Sequence, residues 1–296
     1  MAGSLAYKRG VLYVGSEERT AHVRSFDLDG RELEAGFSFA GEDGGAASVR
    51  GLDVDEDHRL WVADEVGCRL RAFSLFGDPV AGVPGLEGGD HDRGGVLGRV
   101  TDVATRGSDE AQELLVASGG RRRHALQVLG LGGGGARSLR SMGQVDREFR
   151  DLAGVAWEGD TSWACERGGG RVQVHRDGDF HFAFQLDVPA GRRFLPNAVA
   201  PCGDGRLVLA QGGEASALSL LDRSGRVLRV LAEGGEGEGQ VSEPGDVVVA
   251  PEGDDRHTRV LVIDGEGTRV QVFNLEGDCY GTFPGFARSE SSWEPN

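Results

Sequence analysis

Three acid–arginine pairs stand at one spacing: Asp64 with Arg69, Glu166 with Arg171 and Asp264 with Arg269, each acid five residues ahead of its base. A carboxylate so placed could serve as a general acid or base. The same pair can bridge a hairpin and hold its register. One active site needs its acid once, so three copies point to a scaffold. A second concentration of charge is cationic. Arg121, Arg122 and Arg123 are consecutive, His124 follows, Arg147 and Arg150 come next, and Arg192 and Arg193 form a further pair. Guanidinium groups bind phosphate and carboxylate through paired hydrogen bonds. If neighbouring loops of one face carry them, they form a basic arc for a protein partner or a small anionic ligand. The opposing reading is arginines scattered in solvent. Phe149 and Phe194 are the nearby aromatics, which is thin support for stacking single-stranded RNA. No G-x-S-x-G, P-loop or H-E-x-x-H is present.

The chain as a whole is acidic, with 48 Asp and Glu against 32 Lys and Arg and a net charge of -16. That works against non-specific binding to nucleic acid or anionic membrane. Glycine-rich acidic stretches at 41–45, 55–58 and 252–255 lack the spaced D-x-[DN]-x-[DN]-G of a calcium loop and read as solvated turns. Cys68, Cys165, Cys202 and Cys279 form no C-x-x-C pair. The amino terminus has no apolar core after its charges, and no run approaches membrane-spanning length. The expectation is a soluble protein of the reducing cytoplasm.

These side chains must be positioned by many short strands. Fifty glycines without a collagen period imply many turns. Residues 60–77, 163–178 and 260–277 share one grammar: an apolar strand ending in the acid, a tight loop, the arginine, an alternating strand and a glycine. Residues 11–30, 114–132 and 207–225 repeat it with Ser16, Ser118 and Gln211 at the acid position. These six anchors lie 45 to 54 residues apart, the length of a four-stranded propeller blade. The expected fold is all-β: one six-bladed β-propeller of four-stranded antiparallel blades over residues 1–286. Its blades fall near 4–41, 47–84, 97–142, 150–187, 194–233 and 243–285, with 287–296 as a tail. No segment after blade six repeats the first strand, so the ring closure is not legible.

The run P-G-x-V-V-V…V-I-D-x-x-x-x-R-V-Q-V-F-x-x-x-G at 244–277 resembles an NHL repeat. Blades two, four and six carry the pattern, and the other three share its spacing. The resemblance implies a six-bladed propeller and permits protein-binding or RNA-binding roles. It also brings an alternative, because six-bladed relatives include metal-dependent lyases and lactonases with ligands around the central channel. On that alternative, Asp102, Asn197 and Asp246 at the inner strands, with His91 in a joining loop, would hold one divalent metal ion. Residues 197–211 resemble the lactonase pattern around an inner-strand asparagine, but its E-G-P-x-W and N-G-x-x-x-S are missing. The first reading is a binding scaffold that is not an enzyme and carries no cofactor. The metal-dependent lyase or lactonase is the second.

Overall fold

The computed structural model describes residues 2–16, 21–41, 44–80, 97–119, 124–132, 135–139, 149–265 and 267–284. They form six antiparallel sheets arranged as a six-bladed β-propeller. Blade one comprises β1 (Ala2–Lys8), β2 (Val11–Ser16), β3 (Ala21–Phe26) and β4 (Glu32–Phe39). Blade two comprises β5 (Gly51–Val54), β6 (Arg59–Asp64) and β7 (Arg69–Ser74); beyond them a single bridge joins Phe73 to Pro79. Blade three runs through β8 (Arg99–Arg106), β9 (Glu113–Gly119), β10 (His124–Gly130) and β11 (Gly135–Ser138). Blade four runs through β12 (Leu152–Glu158), β13 (Thr161–Glu166), β14 (Arg171–Arg176) and β15 (Asp179–Phe184). Blade five holds β16 (Pro196–Pro201), β17 (Arg206–Gln211), β18 (Ala217–Asp222) and β19 (Val227–Glu233). Blade six holds β20 (Asp246–Ala250), β21 (Arg259–Asp264), β22 (Arg269–Phe273) and β23 (Cys279–Pro284).

The recurring glycine closes the hairpin between the third and fourth strands. Gly30 and Gly277 sit at φ +80° and +93°, a region that only glycine enters without strain. Each N–H returns to the carbonyl three residues earlier, Asp27 and Asn274 respectively. The repeat acids are fully buried, and each ties a joining loop to its hairpin. Asp264 accepts the Ser242 N–H at 2.6 Å and Arg269 Nη2 at 2.6 Å. Glu166 accepts the Arg150 N–H at 2.8 Å and Arg171 Nε at 2.5 Å. Asp64 accepts the Ser48 N–H at 3.1 Å; Arg69 lies opposite it in the ladder, and Arg71 Nε forms an ion pair with it at 3.3 Å. The scaffold reading of these acids holds.

The core is a ring of six apolar clusters, each spanning two adjacent blades. Small and β-branched residues on one blade interdigitate with those of the next, because each sheet can bury its faces only against a neighbour. The ring closes in the same way. Leu5, Leu12 and Phe26 of blade one pack on Leu261, Val270 and Phe283 of blade six, with the Phe26 and Phe283 ring centroids 5.1 Å apart. Among the described residues blade one takes all four strands from the amino-terminal end and shares none with blade six, so side-chain contacts close the ring. Cys165 is fully buried within this packing, as a small apolar residue would be. Among the described residues no helix is long and apolar enough to cross a membrane.

Candidate functional site at the channel mouth

The inner strands β1, β5, β8, β12, β16 and β20 surround the channel. At one mouth the joining loops meet the loops that follow the repeat acids: Gly168 N–H donates to Arg150 O, Gly212 N–H to Leu195 O and Gly265 N–H to Ser242 O. There Asp102, Asn197 and Asp246 come together with Arg50, Thr101 and Arg167 around a pocket of about 70 Å³. Outward it continues into a cleft of about 300 Å³ lined by Arg50, Glu65, Arg99, Asp151 and Arg167. Inward, Asp102 and Asp246 also border the lumen, a further 170 Å³.

The inner-strand acids stitch one blade to the next. Neighbouring inner strands share no backbone ladder, and a carboxylate spans the gap. Asp102 Oδ2 accepts the Val155 N–H of blade four at 2.7 Å. Asp246 Oδ2 accepts the Leu5 N–H of blade one at 2.7 Å and the Ser4 hydroxyl at 2.9 Å. Asp53, deeper in the lumen, accepts the Thr105 N–H of blade three at 2.6 Å. In each case the other oxygen takes the N–H of the following residue on its own strand.

All three are half-buried by area; each borders the lumen, and Asp102 and Asp246 also line the pocket at the mouth. Burial raises each of their pKa values. For Asp53 the rise is to about 6, opposed by the hydrogen bonds from Thr105 and Val54. For Asp102 the nearby Asp246 charge adds to the rise. For Asp246 the donors Leu5, Ser4 and Val247 and the charge of Arg50 oppose it.

Two polar atoms at this pocket lack hydrogen-bond partners. Asn197 Nδ2 donates to Pro244 O at 2.6 Å, which sets the amide orientation, and its buried Oδ1 has no partner. The Asn197 residue is 8% exposed. Arg167 Nε is also buried without a hydrogen bond; the Asp151 carboxylate stands 3.9 Å away.

The expected metal set is thus grouped in part. Asp102, Asn197 and Asp246 share one pocket, while His91 lies outside the described residues. Their oxygens suit a hard cation, but Arg50 and Arg167 in the same pocket oppose one. Among the described residues no three His, Cys, Asp or Glu side chains converge as a metal set.

The basic arc is placed only in part. Arg121, Arg122, Arg123 and Arg147 lie outside the described residues. His124 opens β10 opposite Gly119, and Gly119 lines the cleft. Arg150 is exposed and adjoins Asp151. Arg192 donates to Glu214 O at 2.6 Å and lines a different groove, of about 710 Å³, between blade five and the segment after β15; Arg193 is exposed beside it. The cleft arginines that sequence reasoning passed over are Arg50, Arg99 and Arg167. The available signal was their position: Arg50 ends a joining loop, Arg99 opens an inner strand, and Arg167 follows a repeat acid.

No family model and no curated protein matches the sequence. Solved structures resemble the fold. A chain of a nidogen/laminin complex superposes with a TM-score of 0.64 at 16% identity, covering 93% of this chain and 94% of that one. XC5397 of Xanthomonas campestris, a gluconolactonase important in glucose secondary metabolic pathways, gives 0.61 at 13% identity, covering 92% and 85%. Identities this low carry the architecture and not the chemistry: the chain is a six-bladed β-propeller.

Proposed function

We propose that the protein is a rigid binding scaffold that receives an anionic group, of a small ligand or of a protein partner, in the cleft at the channel mouth. The observation that carries this reading is the convergence of Arg50, Arg99 and Arg167 from separate blades on one cleft. Arg99 is paired with Glu65 yet 66% exposed, and Arg167 has an unused donor, so both can turn to a carboxylate or phosphate. The propeller in the nidogen/laminin complex lends the protein-binding form of this reading an example of the same architecture, and the NHL-like pattern agrees with it.

Calorimetric titration with citrate and with inorganic phosphate tests it. Arg50→Glu and Arg99→Glu should each weaken binding by about tenfold, with a melting curve confirming that each variant is folded. Arg121→Glu, Arg123→Glu and Arg193→Glu, tested in the same way, measure how far the arc extends. Affinity indifferent to every reversal would overturn the reading.

A second reading, a metal-dependent lactonase at the channel mouth, is favoured by one observation: the unpartnered Asn197 Oδ1 beside Asp102 and Asp246. The gluconolactonase fold neighbour agrees with it. A divalent ion held there would polarise a carbonyl and the water that attacks it; Asp102, Asn197 and Asp246 would supply the oxygens. Elemental analysis of protein purified without chelator decides. About one ion per chain, lost on Asn197→Ala, supports the reading; none sinks it.

A further inference from the structure

The neck pocket is neither a plain anion site nor a plain cation site. Its wall holds two carboxylates, Asp102 and Asp246, and two guanidinium groups, Arg50 and Arg167. A bare anion meets the carboxylates, and a bare cation meets the guanidiniums. A ligand carrying both charges can turn each towards its opposite. The two unpartnered atoms are likewise of opposite kinds. Asn197 Oδ1 is a buried acceptor without a donor, and Arg167 Nε is a buried donor without an acceptor. Unmet buried groups of this sort are costly and mark sites that a ligand or water completes.

The sizes agree with the charges. The neck, at about 70 Å³, has room for one small polar head. The cleft of about 300 Å³ that continues from it takes the remainder of a small molecule. Arg50, Thr101, Ala153 and Arg167 line both spaces, so a carboxylate held at the arginines leaves a neighbouring head reaching inward to Asn197, Asp102 and Asp246.

From this we infer that the channel mouth binds a zwitterion of the α-amino acid type. Its ammonium group donates to Asn197 Oδ1 and the channel carboxylates, and its carboxylate accepts from Arg167 Nε and Arg50. The inference rests on the anion-binding reading of the cleft and narrows it to one ligand class.

The test is a calorimetric titration of the wild-type chain with L-alanine, L-glutamate and L-lysine, each beside its N-acetyl derivative, with citrate and inorganic phosphate in the same series. Acetylation removes the ammonium charge and keeps the carboxylate. The expected result is that at least one free amino acid binds about tenfold or more tightly than its N-acetyl derivative. Arg167→Met should weaken the free amino acid, and Asn197→Val should erase its advantage over the derivative. The wild-type comparison needs no variant, and a melting curve for each variant separates lost binding from lost folding. If the N-acetyl derivatives bind as well as the free amino acids, the zwitterion inference is overturned while the anion reading stands. If citrate and phosphate bind and no amino acid does, the outcome is the same. If nothing in the series binds, both are overturned.

Discussion

The Asp246 carboxylate accepts the backbone N–H of Leu5 at 2.7 Å, joining residues 241 positions apart across the seam where the last blade meets the first. Ser4 donates its hydroxyl to the same oxygen. Asp246→Ala would leave both donors in a walled space with no acceptor, at a cost of about 2–3 kcal/mol. Asp246→Asn keeps an acceptor for Leu5 and should lose less. Thermal unfolding of the two variants measures the difference. Equal melting temperatures for both variants and wild type would mean that the seam is held by packing alone.

The channel carboxylates make stability depend on pH in an unusual direction. A group whose pKa is raised by folding binds its proton more tightly in the folded chain than in the unfolded one. Its contribution is therefore full below the ordinary value of 3.8 and is lost as pH rises through about 6, the value for Asp53. The span corresponds to a change on the order of 2–3 kcal/mol. Asp102 and Asp246 act in the same direction. Urea unfolding at pH 4.5 and pH 7.5 should show a smaller stability difference between the two pH values in Asp53→Asn than in wild type, with the sign favouring acid in wild type.

The repeat acids should be indispensable to the fold and irrelevant to the ligand. Asp264 is fully buried and holds Ser242, Arg269 and Gln271. Asp264→Ala removes the carboxylate facing Arg269, which keeps the Glu236 and Gln240 carbonyls, and takes the acceptor from the Ser242 N–H, and should destabilise by about 3 kcal/mol. Affinity for an anionic ligand, measured below the melting transition, should stay within about twofold of wild type. A tenfold loss of affinity in a folded variant would assign the acid a direct role.

Inner-strand crowding gives a steric test. A Cβ on Gly51 would lie 2.6 Å from the Asp102 Cα, and one on Gly154 would lie 2.7 Å from the Asn197 carbonyl oxygen. Alanine at either position must push neighbouring blades apart, at about 1–3 kcal/mol. Gly245 borders the same pocket, but its nearest neighbour would be Ile263 Cγ2 at 3.8 Å, an ordinary contact. Gly245→Ala should stay within about 0.5 kcal/mol of wild type. Chemical denaturation of the three variants reads the ranking.

Most of the architecture was legible before any coordinates. The acid, loop, arginine and glycine of each repeat are local: Asp264, Arg269 and Gly277 lie within one hairpin pair, and period-2 alternation marks its strands. Spacing alone therefore determined six blades and the scaffold role of the acids. Blade two departs from the repeat, with three strands and a single bridge in place of a fourth. What spacing could not reach was anything made between blades. Asp246 meets Leu5, Asp102 meets Val155 and Asn197 meets Pro244 only because the ring brings inner strands side by side. The seam without a shared strand, the raised channel carboxylates and the arginine cleft all depend on that closure. Neighbours around an axis are distant in sequence, and burial, which sets the charge state of each acid, exists only once the blades have packed.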